Sequence, residues 1–281
     1  AICRGLHWLM LVQSADGCWC PFLLDESQRG QHRTSSTACA LWAFGNCGYG
    51  LSRQQNNPFV DVVLEGIEFL LRESDIVHLT PVAGRDCDRN GNGIARVLGR
   101  HNTFENYTQP MAIAGIIAAG QPNCAITREG QRRLLRDEVN DACDYTLWQL
   151  YMSSSGSWAY NVTGIEGGND LSTAGWNYLG LDAMAAWDIP VEAEAFLRCQ
   201  MLLEEVYRPA AGRFGYRFLD DNMSLSLDAS GIFGVYVVAQ AASSPEYQRY
   251  QIRELSVSAG EIITRALAVF NKTISDYGNL D

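Results

Sequence analysis

The chain has 281 residues, 32 acidic against 21 basic side chains and a formal net charge of −11. With 47% hydrophobic and 19% charged residues it has a globular composition, which excludes a disordered chain, a collagen and a simple coiled coil. Excess acid also argues against nucleic acid, since phosphate binding needs a concentrated positive patch.

The first segments in chain order are helical. Periodicity predicts helices over about 3–13, 35–46, 58–72, 105–119, 130–151, 171–187, 191–206, 224–241 and 253–271, which makes four and a half hairpins. They alternate in character. In 131–150, Leu135, Val139, Ala142 and Leu147 or Trp148 recur at helical spacing, while Arg132, Arg136, Asp137, Asp141 and Asp144 fall on the other faces. The second helix of a pair is apolar nearly all round: 171–187 carries only Asp182 and 111–119 carries no charge. A helix apolar on every side is buried on every side, so two concentric layers are expected, amphipathic outside and apolar inside. Strand signals are weak, and Asn90-Gly91 is placed in an expanded polar loop over 76–104 of a single domain spanning 1–281.

A repeat runs through this order. Gly17-Cys18-Trp19, Gly156-Ser157-Trp158 and Gly212-Arg213-Phe214 are Gly-x-aromatic turns, the last two continuing as Ala159-Tyr160 and Gly215-Tyr216. Each follows a helix-like stretch and precedes a small-residue helix. Trp158 to Ser172 and Phe214 to Asp228 both span 14 residues. The period is that of a helix–turn–helix array of roughly 55–75 residues per unit.

No segment is long enough to cross a bilayer. The longest uncharged stretch, Asn106–Thr127, has its apolar heart only at Met111–Ala119. There is no signal-peptide pattern, and a start at Ala1 is read as a processed or trimmed N-terminus.

The stretch Arg4-Gly5-Leu6-His7-Trp8-Leu9, followed by Gln13, Gly17 and Trp19, resembles the QW repeat of squalene–hopene cyclases and related triterpene cyclases. The unit at 145–160 is similar but has Met152 in place of the Gln, and 196–216 is looser still; the likeness covers roughly 1–242. It implies the α/α toroid shared by terpene cyclases, protein prenyltransferase β subunits and complement-type thioester domains, here partial and all-α. It also implies that the Gln and Trp are struts between adjacent helices, where an indole stacks on a helix end and an amide satisfies backbone groups.

The chemistry of these families is then checked residue by residue. A hopene-type cyclase protonates an alkene with acids in an Asp-x-Asp-Asp-Thr-Ala-like motif. The matching stretch is Asn169-Asp170-Leu171-Ser172-Thr173-Ala174, without the central acids, and the first unit has Arg33-Thr34-Ser35-Ser36-Thr37-Ala38. Asp170 and Ser172 read more simply as helix caps. A prenyltransferase zinc site needs Asp-x-Cys and a distant His. Asp16-Gly17-Cys18 fits a QW turn equally well, and His7, His32, His78 and His101 sit on no matching motif, so zinc is not expected. A thioester motif is absent.

In the expanded loop, Asp86-Cys87-Asp88-Arg89-Asn90-Gly91-Asn92 is like the first half of a calcium loop, with Asp86, Asp88, Asn90 and Asn92 as oxygen ligands and Gly91 sixth, but Val97 stands where a bidentate Glu belongs. A solvated Asn/Asp/Gly loop is the alternative. Nine cysteines at 3, 18, 20, 39, 47, 87, 124, 143 and 199 are either bridged in an oxidising compartment or buried thiols. Hairpin geometry would place Cys3 beside Cys47, and Cys18 or Cys20 beside Cys39. Asn106, Asn161, Asn222 and Asn271 head Asn-x-Ser/Thr sequons that agree with secretion.

The expectation is therefore a non-catalytic structural or binding module, secreted or envelope-associated, with a protein partner or a second copy covering the open edge of the ring. The alternative is an enzyme, such as a terpene cyclase or prenyltransferase-like activity, using a central cavity with Trp42, Asp170, Trp176, Tyr178, Asp228 and Tyr236 as candidate residues.

Overall fold

A computed structural model describes residues 2–20, 26–51, 56–82, 84–99, 105–128, 130–153, 157–158, 170–218, 220, 222–242 and 259–278. Helices α1 (Ile2–Val12), α2 (Glu26–Asn46), α3 (Val60–Arg72), α4 (Glu105–Ala119), α5 (Leu135–Met152), α6 (Leu171–Ala185), α7 (Ala193–Val206), α8 (Leu225–Ala242) and α9 (Ala259–Gly278) follow one another. Among the described residues this is the all-α architecture that the periodicity predicts. Residues 253–258, where the last helix was expected to start, lie outside the described set, as do His101, Asn161 and Asn169.

Three short antiparallel hairpins interrupt the helices. They are β1 (Asp75–His78) with β2 (Ile94–Val97), β3 (Ala125–Arg128) with β4 (Gln131–Leu134), and β5 (Tyr207–Arg208) with β6 (Arg213–Phe214). They correct two expectations. The polar loop over 76–104 contains β1 and β2, with Asp75 opposite Val97 and His78 opposite Ile94. The helix expected from 130 starts at Leu135, because 131–134 pair with β3. β-branched Ile76, Val77, Ile94 and Val97 suit strands, but runs of four residues are too short for a period-2 pattern to stand out.

The described residues form two compact units. One holds the residues up to Met152 with Leu179–Pro190; the other holds the segment ending at Tyr178 and everything from Val191 onward.

In the first unit α3 is amphipathic. Val63, Gly66, Ile67 and Leu70 are buried at helical spacing while Asp61, Glu65 and Glu68 face water. Helix α4 is apolar from Met111 to Ala119 and buried nearly all round, polar Asn106, Thr108 and Gln109 included. It crosses α2 where the sequence supplies small residues. A Cβ on Gly45 would stand 2.3 Å from the Ala118 carbonyl, and one on Gly115 would stand 2.5 Å from the Ala38 oxygen. Backbone rests on backbone there, which only glycine permits. Where α2 ends, the Leu51 N–H donates to Ala119 O at 2.6 Å.

In the second unit, α8 packs against α7 and α9. Phe214 is fully buried on Gly231, whose added Cβ would lie 2.3 Å from the ring. Tyr178 is fully buried against Gly234 and the Leu203 side chain.

These contacts set a stability expectation. Gly45→Ala and Gly115→Ala should each lower the unfolding free energy by about 1–3 kcal/mol through overpacking, although alanine favours an open helix site by ~1 kcal/mol over glycine. Gly5→Ala on α1, where an added Cβ meets nothing within 4 Å, should instead be neutral to stabilising. Urea unfolding of the three variants checks the contrast.

Candidate functional sites

The QW strut is built as its residue types require. Gln13 Nε2 donates to Gly17 O and to Val62 O of α3, each at 2.9 Å. The Trp19 indole N–H donates to Leu9 O at 2.8 Å, and its backbone N–H donates to Thr37 Oγ1 on α2 at 3.0 Å. Its ring lies on Gly66, where a Cβ would come within 2.7 Å, and beside Phe44 at 6.0 Å. Gly17 has a φ of +87° and passes so close to α3 that a Cβ would meet Glu65 O at 2.3 Å. Both the turn and the approach demand glycine.

The last unit repeats the device with other residues. The Phe214 N–H donates to Asp228 Oδ1 on α8 at 3.0 Å, as Trp19 does to Thr37. The other Asp228 oxygen takes Arg213 Nε at 2.9 Å and Nη2 at 2.7 Å. Here Arg208 reaches Glu205 O, Arg217 O and Asp220 O. Asp170, also fully buried, caps α6: Oδ1 accepts from the Thr173 N–H at 2.7 Å and from Ser172 Oγ at 2.5 Å, and Oδ2 accepts from Thr173 Oγ1 at 3.0 Å.

The aromatic candidates fall in both units. Trp42 belongs to the first unit and is exposed on α2. Trp176, Tyr178 and Tyr236 belong to the second. Trp176 is half-buried, Tyr178 is sealed in the core, and the exposed Tyr236 hydroxyl accepts from Gln240 Nε2 at 2.8 Å.

The calcium-like loop has a different use. Asp88 accepts the N–H groups of Asn92 at 3.1 Å and Gly93 at 2.6 Å, and Asp86 accepts that of Asp88 at 3.0 Å. Asn90 and Asn92 donate their amides to one oxygen of Asp141 at 2.8 and 2.9 Å. The carboxylates are met by N–H and guanidinium donors rather than gathered round one centre. The described residues contain no group of three or more His, Cys, Asp or Glu placed to hold a metal ion. This geometry supports neither the calcium reading nor a zinc site at Asp16 and Cys18, which both face Arg33.

The loop grips a line of acids that was expected on an outer face. Glu138, Asp141 and Asp144 of α5 are all buried. Arg96 of β2, itself buried, pairs with Glu138 and donates to Ser74 Oγ at 2.6 Å. Arg133 of β4 bridges Glu138 at 3.1 Å and Asp141 at 2.8 Å. Arg89 pairs with Asp144 and also donates to Pro190 O and, at 3.4 Å, to Asn140 O. Buried Gln109 of α4 closes the lattice: it accepts from the Leu98 N–H and donates to Arg96 O and Ala142 O. The signal for this was present in sequence, as acids at i, i+3 and i+6 in a chain with arginines on either side.

Burial pushes the Asp144 carboxyl up to about 6, with Arg89 opposing and Asp141 adding to the rise. Burial likewise pushes the Cys143 thiol to about 12.

No two cysteines stand at disulfide distance, against the bridge expectation for Cys3 with Cys47 and for Cys18 or Cys20 with Cys39. Cys3 hydrogen-bonds the Tyr49 hydroxyl, whose pKa is raised first by that bond, with Cys47 adding to the rise. The helix ends do approach, but through a phenol. Cys18 is held by Arg33 Nε, 3.4 Å from its sulfur, and burial raises its pKa. The sequon at Asn106 is buried, whereas Asn222 and Asn271 are exposed.

The remaining feature is an apolar cleft of about 660 Å³ in the first unit. Trp8, Leu9 and Val12 of α1, Trp19 of the turn, Cys39 of α2 and Met111 of α4 shape it. Trp8 is 57% and Leu11 of the same helix 70% exposed. No family, curated protein or solved structure matches this chain.

The buried acid line sets a pH expectation. The folded pKa of Asp144, about 6, exceeds the ~3.9 of an unfolded Asp. The native state therefore holds the extra proton in this window. The contribution of this group is full below about pH 4 and is lost as pH rises through about 6. Relative to wild type, Asp144→Asn should gain on the order of 2–3 kcal/mol between pH 4 and pH 7. Urea unfolding across that range measures the difference; a pH-independent difference would mean that Asp144 titrates ordinarily.

Proposed function

We propose that the chain is a non-catalytic binding module of the squalene cyclase-like repeat type. Its hairpins are set around a partial α/α toroid, and it is exported to the envelope or beyond as part of a larger assembly. The observation that carries the binding role is the α1–α2 cleft, whose described lining residues include no charged side chain. Such a surface holds apolar matter and has little with which to move protons.

Two further features support the reading. The shared device, in which an aromatic turn residue gives its N–H to a side chain on the next helix, occurs at Trp19 and Phe214, as an array of like hairpins requires. In addition, the carboxylates that the enzyme alternative would enlist are already bonded, Asp170 as a helix cap and Asp228 as a clamp on Arg213. Export rests on the exposed sequons at Asn222 and Asn271.

A neutral fluorophore, N-phenyl-1-naphthylamine, discriminates the two. Saturable binding should weaken ~30-fold in Trp8→Ala, the loss of a buried aromatic contact. It should be unchanged in Asp170→Asn and Asp228→Asn, which should instead lower the melting temperature. Probe affinity that follows the two carboxylates and ignores Trp8 would favour the central-cavity enzyme.

A further inference from the structure

We infer that the α1–α2 cleft is a site for one uncharged, mainly hydrocarbon small molecule carrying at most one hydroxyl or carbonyl, such as an aliphatic alcohol or ester. The inference rests on the binding-module reading and names its ligand class.

Size comes first. About 660 Å³ falls inside the ~300–1,000 Å³ typical of small-molecule pockets.

Charge comes second. Among the described residues no Asp, Glu, Lys, Arg or His is in the lining. An ionic head group drawn against these residues would lose its hydration and gain no counter-charge from them. Their polar side-chain atoms, the hydroxyls of Ser35 and Ser36, the thiols of Cys20 and Cys39 and the indole N–H of Trp8, suit a neutral head group. The Ser35 hydroxyl already donates to His32 O at 3.1 Å, which leaves its oxygen able to accept from a ligand hydroxyl.

The walls come third. Trp19 is rigid, almost fully buried and tied to Leu9 O by its indole N–H. Of the other lining residues, Trp8 is more than half exposed and Met111 half-buried. One fixed aromatic wall together with an adaptable thioether and an exposed indole lets a chain pack closely without a preset outline.

The test uses the full chain with 1-decanol, decanoate and decyltrimethylammonium. Decanol should bind saturably, at least about tenfold tighter than either charged analogue. It should slow alkylation of Cys39 by iodoacetamide, read by peptide mapping, at least about tenfold while Cys124 is unaffected. Cys39→Phe, which fills the cleft, should abolish binding. If that variant fails to fold, the wild-type alkylation experiment still decides.

Equal affinity for the three molecules would overturn the inference. So would decanol binding that leaves Cys39 as reactive as before. Cys39 protected without ligand, in step with a concentration-dependent rise in mass, would assign the cleft to a second copy of the chain. If the naphthylamine binds through Trp8 while decanol protects nothing, the module reading stands and this ligand class falls.

Discussion

Three carboxylates on one helix, shut away from water, are the constraint around which the first unit is organised. Glu138, Asp141 and Asp144 lie along α5. A buried charge left unpaired costs several kcal/mol. Every segment that covers this line must therefore bring a cation or an N–H with it. The loop brings Arg89, Asn90 and Asn92; β2 brings Arg96; β4 brings Arg133. Of the 21 basic residues in the chain, 20 are arginine, and the only lysine, Lys272, is in α9. That preference fits the task. A guanidinium holds its charge in any environment and offers forked donors, so Arg133 can bridge two acids and Arg89 can meet a carboxylate and two carbonyls at once. Buried pairs of this kind often add little net stability compared with apolar packing. Their effect is on position, because a loop shifted by one residue would leave an acid uncompensated.

The same economy of partners explains the repeat. A tight Gly-x-aromatic turn leaves the N–H of the aromatic pointing into the protein, and a buried N–H must be received. Thr37 receives it in the first hairpin and Asp228 in the last. The choice between them is set by what else is near. Thr37 is neutral and needs no counter-charge. Asp228 is an acid and is fully buried, so Arg213 is drawn in from the turn. Glycine then completes each aromatic seat, Gly66 under Trp19 and Gly231 under Phe214. The repeat is thus conserved as a set of physical requirements within this one chain, while the residues that meet them differ.

This explains how far the sequence could be read. The amphipathic face of α3 and the burial of α4 from Met111 onward follow from local pattern, because helical spacing alone dictates them. The Gln13 and Trp19 struts were expected from the resemblance to the QW repeat. The acids of α5 were only half legible. Their spacing at i, i+3 and i+6 shows in the sequence, but a carboxylate at helical spacing reads as solvated unless its partners are known, and these lie some 40–55 positions away in the loop and β2, or on β4 just before the helix. The four-residue strands escaped because their pairing, not their pattern, makes them strands. The thiol pairs failed on a finer scale. Hairpin topology brings helix ends together, but a disulfide needs Cβ atoms within about 4 Å, and Tyr49 stands with Cys3 and Cys47 instead.

Helix α1 shows where burial stops being the organising force. Only Leu6 along its length is buried, so apolar packing alone is a weak reason for it to dock. Its anchors are polar: the indole of Trp19 holds Leu9 O, and just past its end Gln13 holds the backbone of the turn and of α3. Trp8 and Leu11 stay open to water. A helix fastened by hydrogen bonds rather than by its apolar side has not spent that apolar surface on folding, and the surface remains available to lower its free energy by covering a ligand. In the first unit, then, the strut that makes the hairpin is also what leaves the cleft beneath α1 standing with its greasy wall exposed.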